Sequence, residues 1–76
     1  MIRELELVVL ARDFPENGLQ RGDVGTVIHC YEDGAAVEVE FVTAGGKTVA
    51  LLTLDSVDVR PMQSGQILHV RELASA

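Results

Sequence analysis

Tryptophan is absent from this sequence, and Phe14, Tyr31 and Phe41 are its only aromatic residues. A chain so poor in exposed aromatics lacks the stacking platform on which nucleic-acid bases lie. Basic residues are also few: Arg3, Arg12, Arg21, Lys47, Arg60 and Arg71 are scattered, and they face twelve acidic residues for a net charge of -6. Such a surface repels phosphate backbones, so direct nucleic-acid binding is not expected. Cys30 stands alone, which excludes an intrachain disulfide and argues against a secreted, cross-linked mini-domain. His29 and His69 are the only other soft ligands, and no closely spaced pairs of the kind a structural zinc site needs are present. The longest unbroken apolar run, residues 7–11, falls far short of the ~20 residues that span a membrane. Arg3, Glu4 and Glu6 interrupt any signal-peptide pattern, so a cytoplasmic location without membrane contact is expected.

What is present is aliphatic. Apolar residues make up 47% of 76 residues, enough for one globular domain near the lower size limit. Valine is the commonest of them, and β-branched side chains suit a pleated surface better than a helix. The first strand is expected over residues 5–12, where the apolar residues Leu7, Val8, Val9 and Leu10 do not alternate and imply a strand covered on both sides. Asp13-Phe14-Pro15-Glu16-Asn17-Gly18 reads as a long loop from which Leu19 plugs the core. Gly22 suits a tight turn, and Asp23 can hydrogen-bond the backbone ahead of it. Gly25, inside an apolar run, marks a bulge, a sharp bend or the close approach of another backbone.

The second strand is predicted over residues 24–31, with Val27 or Ile28 and Cys30 inward and His29 toward water. Glu32-Asp33-Gly34 signals a tight hairpin. In the third strand, residues 36–42, Val37, Val39 and Phe41 alternate with Glu38 and Glu40, the pattern of a half-buried antiparallel strand. Gly45-Gly46 makes a second hairpin, residues 48–54 a fourth strand, and residues 54–61 a 3-10 turn capped by the Asp55 or Ser56 side chain and a short last strand ended by Pro61. The expected fold is therefore all-β: a five-stranded SH3-like barrel over residues 1–61, closed around a solid core, followed by a tail over residues 62–76. In that tail, Ile67, Val70 and Leu73 would share one face of a short helix. An extra strand fits equally well, and either could lie on its own barrel or on another chain.

No arrangement of these residues suggests catalysis. Glu38 and Glu40 project to the same side, but a barrel exterior offers no cleft to push their pKa values apart. Cys30 reads as a small buried hydrophobe, and no cofactor is implied. The surfaces that remain are the acidic face at Glu38 and Glu40, the long loop with Phe14 and Arg21, and the tail residues Ile67, Val70 and Leu73.

Between residues 5 and 61 the chain resembles a small bacterial family, the domain of unknown function 4926. The blocks that carry the likeness are Asp13-Phe14-Pro15, Gly18-Leu19-Gln20-Arg21-Gly22-Asp23-Val24-Gly25-Thr26-Val27, Val37-Glu38-Val39-Glu40-Phe41, Ala50-Leu51-Leu52-Thr53-Leu54 and Val59-Arg60-Pro61. The Gly-Asp-Val-Gly-Thr-Val element by itself is also similar to the KOW motif and to the barrel of nitrile hydratase β subunits. The family implies no established activity, though its members resemble products of genes beside other small proteins, sometimes in toxin–antitoxin-like pairs. The expected function is a non-enzymatic protein-binding module, an antitoxin or immunity protein for a partner encoded nearby and basic in charge. The alternatives are an accessory barrel for a metalloenzyme, a KOW-like RNA-binding module disfavoured by the charge, and a homodimer that pairs through the tail or a sheet edge.

Overall fold

Alternation and turn residues produce five antiparallel strands in the computed structural model, which describes residues 2–73. They are β1 (Leu7–Leu10), β2 (Val24–Tyr31), β3 (Ala36–Val42), β4 (Thr48–Asp55) and β5 (Val59–Pro61). The order across the sheet is β4-β3-β2-β1-β5, an SH3-like arrangement with no α-helix among the described residues. All five strands feed one largely aliphatic core: Val8 and Leu10, Val27, Val37, Val39 and Phe41, Leu54, and Val59. Phe14 and Leu19 close it from the long loop, so Leu19 does plug the core as expected.

The sheet curls around this core but does not close. Among the described residues β4 pairs only with β3 and β5 only with β1, because the 3-10 turn Ser56–Asp58 carries the chain from one edge to the other without a ladder between them. The expectation of a closed cylinder is corrected on this point. The same turn lacks the predicted side-chain cap. Its start is instead tied down by the Ser56 N–H, which donates to the Ala35 carbonyl at 3.0 Å.

β1 starts two residues later than predicted because Leu5 adopts a φ of 67°, which breaks the extended run before Leu7. Val9 is buried along with Val8 and Leu10, so this strand is covered on both faces over most of its length. β2 has the predicted bounds, and a bulge between Val27 and His29 resolves which residues face inward. Val27 is fully buried, Ile28 is the extra, exposed residue, and Cys30 then returns to pack against the core. The link from β2 to β3 is wider than the tight hairpin expected. It holds a 3-10 turn, Glu32–Gly34, with positive φ at both Glu32 and Gly34. Pro61 ends β5, but the ladder runs one bond further, from the Met62 N–H to the Leu7 carbonyl at 3.1 Å.

Gly25 is explained by close approach. A Cβ built there would lie 2.5 Å from Val39 Cγ1 and 2.8 Å from Phe41 Cε2, so β3 packs directly against the bare backbone of β2.

The tail departs most from expectation. Residues 62–73 are neither helix nor strand, and the rest of the predicted tail, residues 74–76, lies outside the described residues. Without a helix, Ile67, Val70 and Leu73 share no helical face; Ile67 and Val70 are 91% and 88% exposed, while Leu73 is half-buried. One side chain holds the segment down. Arg71 Nε donates to Asp23 Oδ1 at 2.8 Å, and Arg71 Nη2 donates to Asp23 Oδ2 and to the Gly18 carbonyl.

Candidate functional site

The outer face of β2, β3 and β4 brings together most of the polar side chains that the sequence singles out. Glu38 faces His29 on β2 and Thr53 on β4, while Glu40 faces Thr26 and Leu51. Both glutamates are half-buried and each is held by a neighbour. The Tyr31 hydroxyl donates to Glu38 Oε1 at 2.9 Å, and Thr48 Oγ1 donates to Glu40 Oε2 at 2.9 Å. Among the described residues, the second oxygen of each carboxylate has no protein donor. The hydrogen bond to Glu38 stabilises the protonated phenol and, with the nearby negative charge, pushes the Tyr31 pKa above its ordinary value.

His29 extends this face. Its ring meets Tyr31 edge-on at 4.5 Å between centroids, and Nδ1 lies 3.3 Å from Glu4 Oε2, an ion pair whenever the imidazole is protonated. Exposed apolar groups interleave with the acids: Leu51 beside Glu40, Val42 at the end of β3 and Ile28 at the bulge. Sequence reading found Glu38 and Glu40 but missed Tyr31 and Thr48. The period of two in β3 marks a shared face, whereas the partner that steadies each acid sits on another strand at a register no local pattern reveals.

The long loop behaves differently from expectation. Phe14 is buried in the core, with the Arg12 guanidinium 3.9 Å above its ring, so it is a support for the loop and not an exposed contact residue. Arg12 also pairs with Asp58 at 3.0 Å, joining the loop to the last 3-10 turn. Arg21 stays exposed, its backbone N–H donating to Asp13 Oδ1 at 2.8 Å. Neither residue adjoins the acidic face in the strand pairing.

A groove separates the tail from the β3–β4 hairpin, floored by Leu19, Phe41 and Val49 and bordered by Asp23, Arg71 and Leu73. Burial pushes the Asp23 carboxyl up, but hydrogen bonds from Arg71 and the Gln20 N–H, together with the guanidinium charge, outweigh it and hold the pKa below the ordinary value. The carboxylate is therefore favoured by folding, and its contribution is present above about pH 4 and lost as pH falls through the lowered folded value. Acidification should release the tail: backbone order parameters of residues 66–73 should fall below about pH 4, and R71A should show the loosened tail already at neutral pH. A tail equally ordered in R71A would refute this clasp.

Among the described residues, no group of three or more His, Cys, Asp and Glu could hold a metal ion, and no helix is long and apolar enough to cross a membrane. No curated protein and no solved structure matches the chain. The family pattern described as Domain of unknown function (DUF4926) matches residues 4–61, from the segment that carries Glu4 through the end of β5. The match spans every strand and the whole acidic face and stops where the tail begins, so this chain belongs to the DUF4926 family.

Proposed function

We propose that this domain is a non-enzymatic protein-binding module that takes a basic segment of its partner on the outer face of β2, β3 and β4. The observation that carries the reading is the seating of Glu38 and Glu40, each steadied through one oxygen by Tyr31 or Thr48. Carboxylates positioned before binding lose less conformational freedom when a Lys or Arg arrives, and charge-assisted hydrogen bonds are the strong ones. Leu51 and Val42 add apolar contact beside them, and the net charge of -6 steers a basic partner toward the surface.

A compact acidic neutraliser of a basic protein, the antitoxin or immunity member of a bacterial two-protein pair, is the role this surface suits. A single thiol, Cys30, packed against the core and pointed at the Ile2 carbonyl, fits a reducing compartment such as the cytoplasm.

Co-expression with the product of the neighbouring gene tests the proposal. The two proteins should co-purify, the domain should relieve any growth defect its neighbour causes, and E38Q/E40Q should weaken association at least about tenfold, or 1.4 kcal/mol. The variant should keep its thermal midpoint while the Tyr31 phenolate titration moves back toward the ordinary value, which shows that the face and not the fold has changed. Absence of both co-purification and rescue, or an affinity indifferent to E38Q/E40Q, would remove the reading.

A further inference from the structure

We infer that the groove beside Asp23 receives an extended segment of a partner protein that carries one arginine among apolar residues, and that this chain's own tail holds the arginine position until such a segment displaces it. The barrel builds that position without help from the tail. Asp23 Oδ2 accepts the Gln20 N–H at 2.9 Å, the Asp23 N–H donates to the Gln20 carbonyl at 3.0 Å, and the Asp23 carbonyl accepts the Leu10 N–H at 2.9 Å. Backbone groups of the turn and of β1 therefore fix the carboxylate before any guanidinium arrives. Gly18, at a φ of 70°, offers its carbonyl to the same guanidinium. Arg71 meets both acceptors through Nε and Nη2, a planar fork that the single ammonium of a lysine does not reproduce.

The tail fills the rest of the groove poorly. Ile67, Leu68 and Val70 are 91%, 66% and 88% exposed, and among the described residues no backbone hydrogen bond joins residues 67–73 to the barrel. A volume of about 510 Å³ stays open over Leu19, Phe41 and Val49. That lies within the ~300–1,000 Å³ of clefts that take a ligand. Chemistry thus specifies the occupant twice: a guanidinium for Asp23 and Gly18, and apolar side chains for the floor that the tail leaves uncovered. The net charge of -6 favours the approach of a basic segment. Glu38 and Glu40 do not line this groove, so its occupancy is independent of the acidic face.

Attachment gives the tail its advantage. A tethered arginine competes at an effective concentration on the order of 1 mM. A free segment therefore meets a position that is mostly filled, and its apparent affinity falls in proportion to the fraction left open. Removing the tethered arginine should raise the affinity for a free one.

A labelled peptide with the sequence of residues 66–73, titrated into full-length chains by fluorescence anisotropy, provides the test. R71A should bind it, and both the parent and D23N/R71A should bind at least about tenfold more weakly than R71A. On R71A, the peptide carrying R71K should lose at least about tenfold, as should acetyl-argininamide, which lacks the apolar flanks. These two comparisons leave the protein unchanged, so they hold whatever D23N does to folding. R71A/E38Q/E40Q should bind like R71A, which separates this groove from the proposed partner face. Equal binding by parent and R71A would refute the guarding role of the tail. No binding by R71A up to about 1 mM, or indifference to D23N, to R71K or to loss of the flanks, would remove the groove as a docking site. Sedimentation addresses the other occupant: the parent should stay at 8.2 kDa, and a doubled mass that is lost in R71A would assign the groove to the tail of a second copy and overturn the proposal.

Discussion

Gly25→Val should leave the chain unfolded, and Gly25→Ala should cost about 3 kcal/mol, the upper range for overpacking a well-filled core. The first methyl carbon would already stand 2.5 Å from Val39 Cγ1, 2.8 Å from Phe41 Cε2 and 3.0 Å from the Glu40 carbonyl oxygen. Ordinary carbon contacts begin near ~3.5 Å, so the neighbours must give way by more than half an ångström. None can do so cheaply. Val39 and Phe41 are buried core residues, and the carbonyl belongs to the backbone of β3. A domain of 76 residues has a total stability of about 4–11 kcal/mol, so the alanine variant loses between about a quarter and three-quarters of it and the two further carbons of valine exhaust the rest. Urea unfolding of G25A and the circular dichroism of G25V are the measurements. A G25A midpoint matching the parent would mean that β3 does not lie against β2 as described. Because Glu38 and Glu40 ride on the displaced strand, G25A should also weaken any contact made by the acidic face.

Leu10→Ala is expected to destabilise the domain by about 3 kcal/mol, within the 2–5 kcal/mol typical of buried Leu truncations. Leu10 heads the fully buried side chains by volume, and its strand is pinned from both sides: it faces Val59 of β5, its N–H donates to the Asp23 carbonyl, and its carbonyl accepts from the Gly22 N–H. Backbone held from both sides cannot collapse into the space left behind, so transfer and cavity costs both apply. The same bonds place Leu10 beneath the turn that carries Asp23, so tail order should fall along with stability. Val57→Ala is the matched control. Val57 is 81% exposed, and its truncation should stay within about 0.5 kcal/mol of the parent. Equal losses at the two positions would contradict the assignment of the core.

Much of the barrel was legible from local pattern. Val37, Val39 and Phe41 against Glu38 and Glu40 set both the bounds and the facing of β3, because a period of two maps directly onto the two sides of a strand. Gly22 and Gly46 marked turns that require positive φ, which both adopt. The acidic face was legible only in half. Its carboxylates alternate along one strand, but Tyr31 and Thr48 reach them from β2 and β4 through cross-strand register. Phe14 shows the opposite failure: an aromatic in a long loop reads as an exposed contact, and only the fold reveals that it turns inward beneath Arg12.

Sequence alone was enough for the mainly aliphatic character of the core, the strand count and the side of β3 that meets water, since propensity, alternation and turn chemistry act within a few residues of one another. Three-dimensional packing settled the rest: the bulge that exposes Ile28, the seam left open between β4 and β5, and the Arg71–Asp23 clasp that ties the tail to the turn at Asp23. Each of these joins segments far apart in the chain. Their energy comes from surfaces that exist only once the sheet has curled, and no local pattern of residues records which distant partner a side chain will find.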